Sequence, residues 1–72
     1  MSEHEQILYM QTRIMRMAAE RWHTTPAETA CVFSQFKLAD FIEENFDLYH
    51  TEGDEAVYSD IMTLLEKRRD KA

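Results

Sequence analysis

The sequence predicts a small all-α domain. Its 72 residues contain one glycine and one proline, so residues that break helices are rare. Apolar residues recur at the three- and four-residue spacing of a helix face through most of the chain. We therefore expect a single domain (residues 1–72, with ends frayed at about 1–4 and 70–72) that has long first and last helices and a helix-turn-helix-like middle. The four helices are predicted near 4–22, 26–36, 38–46 and 53–69.

The first predicted helix has two distinct sides. Its apolar half consists of Ile7, Leu8, Met10, Ile14, Met15, Met17, Ala18 and Trp22. The opposite side carries Tyr9, Arg13 and Arg16, and these residue types are enriched in binding hot spots. They are therefore candidates for binding a partner. The simpler alternative is a solvated face on which Glu20 pairs with Arg16.

One polar residue, Gln11, falls at the centre of this apolar half. A buried amide needs hydrogen-bond partners, since leaving it unpaired costs free energy. Two interpretations stay open. Gln11 ties the helix to a loop carbonyl near residues 49–51, or it crosses a subunit interface and fixes the register there.

The second predicted helix has a clear start. Thr25 can accept from backbone N–H groups, Pro26 suits the first helical position, and Glu28 completes a capping box. Val32, Phe33 and Phe36 form a bulky side of this helix, and Ala27, Ala30, Cys31 and Ser34 form a small side. A helix that is apolar nearly all round is typical of a central position, so we expect both sides to be packed, with Cys31 inside.

The third and fourth predicted helices complete the domain. Thr51 or Asp54 is expected to cap the fourth helix, whose basic end complements the negative end of the helix dipole. That basic end consists of Lys67, Arg68, Arg69 and Lys71. The expected centre of the core is Ile14, Phe33, Phe36, Phe41, Ile42, Ile61 and Leu65.

An acidic segment between residues 40 and 60 is the strongest indication of function. It contains no Lys or Arg, and the chain has a formal net charge of -6. Its acids are Asp40, Glu43, Glu44, Asp47, Glu52, Asp54, Glu55 and Asp60. Such a segment repels phosphate backbones and favours basic or protein partners.

A homodimer through the first helix or through the small side of the second helix is also expected.

The middle helices have the lengths of a helix-turn-helix, but their charges argue against DNA binding by a monomer. The helix that would enter the major groove carries Asp40, Glu43 and Glu44, whereas base and phosphate contacts need Arg, Lys, Asn or Gln. The alternative function is therefore a dimeric transcriptional regulator that binds DNA through an arginine face or the basic tail. The residues in question are Arg13, Arg16, Arg21 and 67–71.

We find no residues arranged for metal binding or catalysis, and we expect neither a cofactor nor an enzyme. His4, His23, His50 and Cys31 lack the paired spacing of zinc ligands. His50 could act as a general base beside Glu52 or Asp54, but a hydrogen bond from His50 to a backbone group is the simpler interpretation. One cysteine and the absence of a signal peptide or membrane span predict a cytoplasmic protein.

Three segments resemble a family of short bacterial proteins catalogued as a domain of unknown function. They are 7–14, 25–33 and 48–61, and the similarity extends from about Ile7 to Leu65. The resemblance transfers no activity, because the shared motifs are structural. Members of that family are encoded beside proteins that look like ADP-ribosyltransferases, which implies an antitoxin-like or regulatory partner of a neighbouring enzyme.

This resemblance gives the acidic residues a specific expected role. An enzyme site that holds the phosphates of a dinucleotide is often electropositive, and an acidic protein can cover it. Glu43, Glu44, Glu52 and Glu55 are the candidates for such charge mimicry. The function that we expect is a non-enzymatic, acidic protein-binding module.

Overall fold

The computed structural model describes residues 1–71, which form five helices and no strands. They are α1 (Glu3–Trp22), α2 (Pro26–Gln35), α3 (Leu38–Glu44), α4 (Phe46–Tyr49) and α5 (Asp54–Asp70). The all-α prediction is confirmed, including the long first and last helices. Among these residues, none of the helices is long and apolar enough to cross a membrane.

Helix α1 occupies the position that we had predicted for the second helix. It contacts α2, α3 and α5, and its buried residues Ile14 and Ala18 have no exposed surface. The rest of the core comes from α1 itself and from the four other helices. It consists of Ile7, Met10, Phe33, Leu38, Ile42, Phe46, Tyr49, Val57, Ile61 and Leu65, with Thr29 as the buried polar residue.

The prediction that α2 is packed on both sides is wrong. Phe33 is buried, but the whole small side of the helix is exposed, including Cys31 and Ala30. The reason is that α2 packs against α1 and α3 with one side only. Phe36 and Phe41, which we expected at the centre of the core, are only partly buried at its edge.

The helix starts follow local capping chemistry in two cases. Ser2 caps α1, and its hydroxyl accepts from the backbone N–H of Glu5 at 3.2 Å. The predicted capping box of α2 is confirmed, since Thr25 Oγ1 accepts from the N–H of Glu28 at 3.1 Å and the Glu28 carboxylate accepts from the N–H of Thr25 at 3.0 Å. Both caps satisfy backbone donors that the helix itself cannot pair.

The start of α5 differs from our prediction. Gly53 is its N-cap residue, and no side chain caps it. Thr51 instead donates to the carbonyl oxygen of Leu48 at 2.8 Å, and the Asp54 carboxylate binds an arginine of α1. The predicted cap is therefore wrong because both side chains have other partners.

Two tight corners connect the first three helices. His23 ends α1 with φ of 57°, and Lys37 separates α2 from α3 with φ of 54°. Residues with side chains seldom adopt this left-handed conformation. A third break, which we did not predict, separates α3 from α4 at Asn45. Its side chain donates to the carbonyl oxygen of Phe41 at 2.9 Å, a local bond that competes with continuation of the helix.

Candidate functional site

Two acids of the acidic segment are engaged by arginines of α1. Arg13 Nε donates to Asp54 Oδ2 at 3.0 Å, and Arg21 pairs with the carboxylate of Glu55. The hydrogen bond from Arg21 lowers the pKa of Glu55 below its usual value and raises that of Arg21. These pairs tie the first turn of α5 to α1, so Arg13 and Glu55, two of our candidate partner-binding residues, already have partners within the chain.

The other candidates on α1 have no such attachment. Tyr9 is 55% exposed and Arg16 is exposed. No ion pair joins Arg16 to Glu20 among residues 1–71. Arg16 and Glu20 instead line a largely apolar groove between α1 and α2. The predicted stripe is thus divided, with Arg13 paired and the other two side chains open to solvent.

The acids of α3 lie together on one exposed wall. Leu38 and Ile42 are fully buried on the inner side of this short helix. Helical periodicity then directs Asp40, Glu43 and Glu44 outward, and all three are exposed. We call these three residues the acidic wall.

The acidic wall borders an open groove of about 900 Å³ at the junction of α2, α3 and α5. Two partly buried aromatic rings, those of Phe36 and Phe41, form its apolar floor. Gln35, Lys37 and Arg68 complete the lining. The groove thus places accessible aromatic surface, a kind enriched at the centre of protein–protein interfaces, next to carboxylates, which are depleted at such centres and suit the polar rim.

Arg68 is the residue that organises this groove, and we did not predict its role. Its Nη1 donates to the carbonyl oxygens of Phe36 at 2.6 Å and Lys37 at 3.2 Å. Its guanidinium lies 5.6 Å from the centre of the Phe41 ring. Arg68 therefore caps the C-terminal end of α2 from a different helix.

A second acidic region surrounds Tyr49. The Tyr49 side chain is buried, and burial raises its pKa to about 12, with smaller contributions from the charge and hydrogen bonding of Asp60 and from the charge of Glu52. Glu52 itself is exposed in the turn before α5.

Of our four acidic candidates, Glu43, Glu44 and Glu52 remain exposed without an ion pair within residues 1–71.

Gln11 and His50 both make bonds within the chain. Gln11 Nε2 donates to the carbonyl oxygen of Ala39 at 2.9 Å, so it bonds within the chain, but to a carbonyl of α3 and not to the loop carbonyl near residues 49–51 that we expected. His50 Nδ1 lies 3.0 Å from the carbonyl oxygen of Phe46, and its ring stacks on the Phe46 ring. This is the backbone bond that we expected of His50.

Within residues 1–71, no three His, Cys, Asp or Glu side chains are grouped so that they could hold a metal ion. The main candidate site is the groove with its acidic wall.

Comparison with known proteins identifies one family. A family model described as "Protein of unknown function (DUF3791)" matches residues 9–68. No curated protein and no solved structure matches the chain.

Proposed function

The chain belongs to the DUF3791 family of proteins of unknown function, and we propose that it is a non-enzymatic protein-binding module. In this proposal the acidic wall on α3 contacts a basic surface of a partner protein. The main supporting observation is that some of the acidic side chains form ion pairs within the chain and others do not. Asp54 and Glu55 are paired with arginines, whereas Asp40, Glu43 and Glu44 face an open groove.

The surroundings of the acidic wall support a binding role. Exposed carboxylates raise the rate of encounter with a basic partner and select against acidic ones. Accessible aromatic surface supplies the apolar contact at the centre of an interface. Phe36 and Phe41 provide that surface next to Glu43 and Glu44.

For the partner, we propose a neighbouring enzyme of the ADP-ribosyltransferase type in a bacterial cytoplasm. The resemblance noted in the sequence supports this choice, as does the electropositive character of sites that hold dinucleotide phosphates. The chain is then an antitoxin-like or regulatory partner, and Glu43, Glu44 and Glu52 occupy the place of phosphate charges.

The test is affinity capture of the tagged protein from its native host at low salt, followed by mass spectrometry and titration of the recovered partner. We expect Glu43→Lys with Glu44→Lys to weaken the complex more than about tenfold and to flatten its salt dependence. The matched control is Glu20→Lys with Glu66→Lys, which makes the same change in net charge away from the acidic wall. Equal affinity of both variants and the wild type would refute the proposal.

The alternative function, a dimeric helix-turn-helix-like transcriptional regulator, has less support. Its recognition helix would be α3, whose exposed acids repel phosphates. Of the arginines proposed for DNA contact, Arg13 and Arg21 are paired with carboxylates. A gel-shift titration against the upstream DNA would favour this alternative if the affinity fell steeply with salt.

A further inference from the structure

We propose that the groove between α1 and α2 is where a second copy of this chain binds, in a two-fold symmetric dimer whose two α1 helices pack antiparallel. This inference goes beyond the proposed function and concerns a different surface. The groove beside the acidic wall and the groove between α1 and α2 have no lining residue in common. We call the second one the α1–α2 groove.

The α1–α2 groove has a volume of about 520 Å³ and a largely apolar lining. Its α1 side is one continuous stripe, because the residues follow each other at the three- and four-residue spacing of a helix face. The stripe consists of Thr12, Met15, Arg16, Ala19 and Glu20. The other side includes Pro26 and Ala30 of α2, whose short side chains leave room for a neighbouring helix.

Apolar surface along this stripe is accessible. Met15 is only partly buried, and Ala30 on the opposite side of the groove is exposed. Leu8 lies four residues before Thr12 and extends the stripe towards the start of α1, and it is 48% exposed. Packing a second helix here removes this surface from water, which favours association.

The charged residues of the lining indicate which helix binds. Among the described residues that line the α1–α2 groove, the charged ones are Arg16 and Glu20, and both are exposed. No ion pair joins them within residues 1–71. An arginine followed four residues later by a glutamate is the weaker order for a pair within one helix. Both side chains are therefore available to another chain.

An antiparallel copy of α1 matches both charges at once. When a two-fold axis crosses two antiparallel helices level with residue 18, position 16 of each lies opposite position 20 of the other. Arg16 of each copy then meets Glu20 of the other, and the short side chain of Ala19 lies beside the axis. A helix with a single sign of charge would instead be repelled by one of the two residues.

The dimer is compatible with the proposed function. No residue of α3 lines the α1–α2 groove, so we expect the acidic wall to stay open in each copy. A domain of 72 residues buries a modest share of its surface, and the added interface raises its stability.

The test uses charge reversals in the full chain, studied by sedimentation equilibrium at low salt. The variants are Arg16→Glu alone, Glu20→Arg alone, and both changes in one chain. We expect the wild type to be a dimer. Each single variant should dissociate at least about tenfold more readily, because like charges then face each other at both contacts.

Two combinations of these changes should restore the dimer. An equimolar mixture of the single variants places glutamates of one copy opposite arginines of the other at both contacts, so we expect heterodimers with an affinity near that of the wild type. The double variant keeps the net charge of -6 and should dimerise with itself for the same reason. Restoration also shows that the variant chains are folded.

Matched controls separate the groove from the rest of the surface. Lys67→Glu and Glu43→Arg make the same changes in net charge at exposed positions outside the groove, and they should leave the dimer intact. Ala30→Gln fills part of the groove and should weaken the dimer, whereas Ala56→Gln, at an exposed position on α5, should not.

Three results would overturn the inference. They are a wild type that stays monomeric up to about 1 mM, single variants that dimerise as tightly as the wild type, and a mixture that does not associate. None of them bears on the proposed function, because the acidic wall is unchanged in all three variants. The control for the partner complex, Glu20→Lys with Glu66→Lys, should lose the dimer and keep the partner.

Discussion

Gln11 in α1 and Ala39 in α3 are joined by a hydrogen bond of 2.9 Å, from the side-chain amide of Gln11 to the carbonyl oxygen of Ala39. The two residues are 28 positions apart in sequence. This bond links the central helix to the helix that carries the acidic wall. It therefore connects the core to the proposed binding surface.

We expect Gln11→Ala to lower the free energy of unfolding by about 1–2 kcal/mol, because it removes the donor and leaves a partly buried acceptor. Urea denaturation measures this change. Thr12→Ala is the matched control. Its hydroxyl bonds the carbonyl oxygen of Leu8 within the same exposed helix turn, so a change within about 0.5 kcal/mol is expected. Equal effects of the two changes would contradict the role given to Gln11.

Thr25→Ala should destabilise the domain by about 1 kcal/mol, because it removes the side-chain acceptor of the α2 capping box. Thr25→Ser keeps the hydroxyl and should retain most of the stability. The comparison is made by thermal denaturation followed by circular dichroism. A serine variant as unstable as the alanine variant would show that the methyl group, and not the cap, is responsible.

Arg68→Ala should lower stability by about 1–3 kcal/mol, since the charged donor to two carbonyl oxygens is lost. Arg68→Lys should recover only part of this, because an ammonium group lacks the planar geometry of guanidinium. Arg69→Ala, on an exposed neighbouring position, should change stability by less than about 0.5 kcal/mol. Urea denaturation at high salt separates these effects from self-association. If Arg68→Lys were as stable as the wild type, the planar guanidinium geometry would not be needed.

The raised pKa of Tyr49 predicts that the domain loses stability in alkaline solution. Its pKa is about 12 in the folded chain and 10.0 without the protein environment, so folding favours the neutral phenol. This contribution is complete below pH 10 and is lost as the pH rises from 10 to 12. Denaturation between pH 9 and 12 should show the decline, and Tyr49→Phe should reduce it. An unchanged slope in that variant would exclude Tyr49 as the cause.

Four of the five helices, all except α4, were predictable from local chemistry and periodicity. Thr25, Pro26 and Glu28 define the start of α2, and helical periodicity places Glu43 and Glu44 on the outer side of α3. The break at Asn45 was missed because it depends on one side-chain bond that competes with the helix. Such a bond leaves no periodic pattern in the sequence.

Features that depend on tertiary packing were not predictable. The sequence shows that α2 is apolar nearly all round, but only the arrangement of the helices shows that Cys31 and Ala30 are exposed. Arg68 lies 32 residues from Phe36, so its role in the groove required the folded chain. The acids of the candidate site could be identified from sequence, whereas their division into paired and open groups could not.

The left-handed corners at His23 and Lys37 have a practical consequence for these experiments. The one glycine of the chain, Gly53, stands at a position with negative φ, so both corners are occupied by residues for which this conformation is unfavourable. A glycine at either corner should therefore make the domain more stable. We expect His23→Gly to raise the free energy of unfolding by up to about 1 kcal/mol. Because His23 does not line the groove beside the acidic wall, that change supplies a sturdier background for the charge reversals.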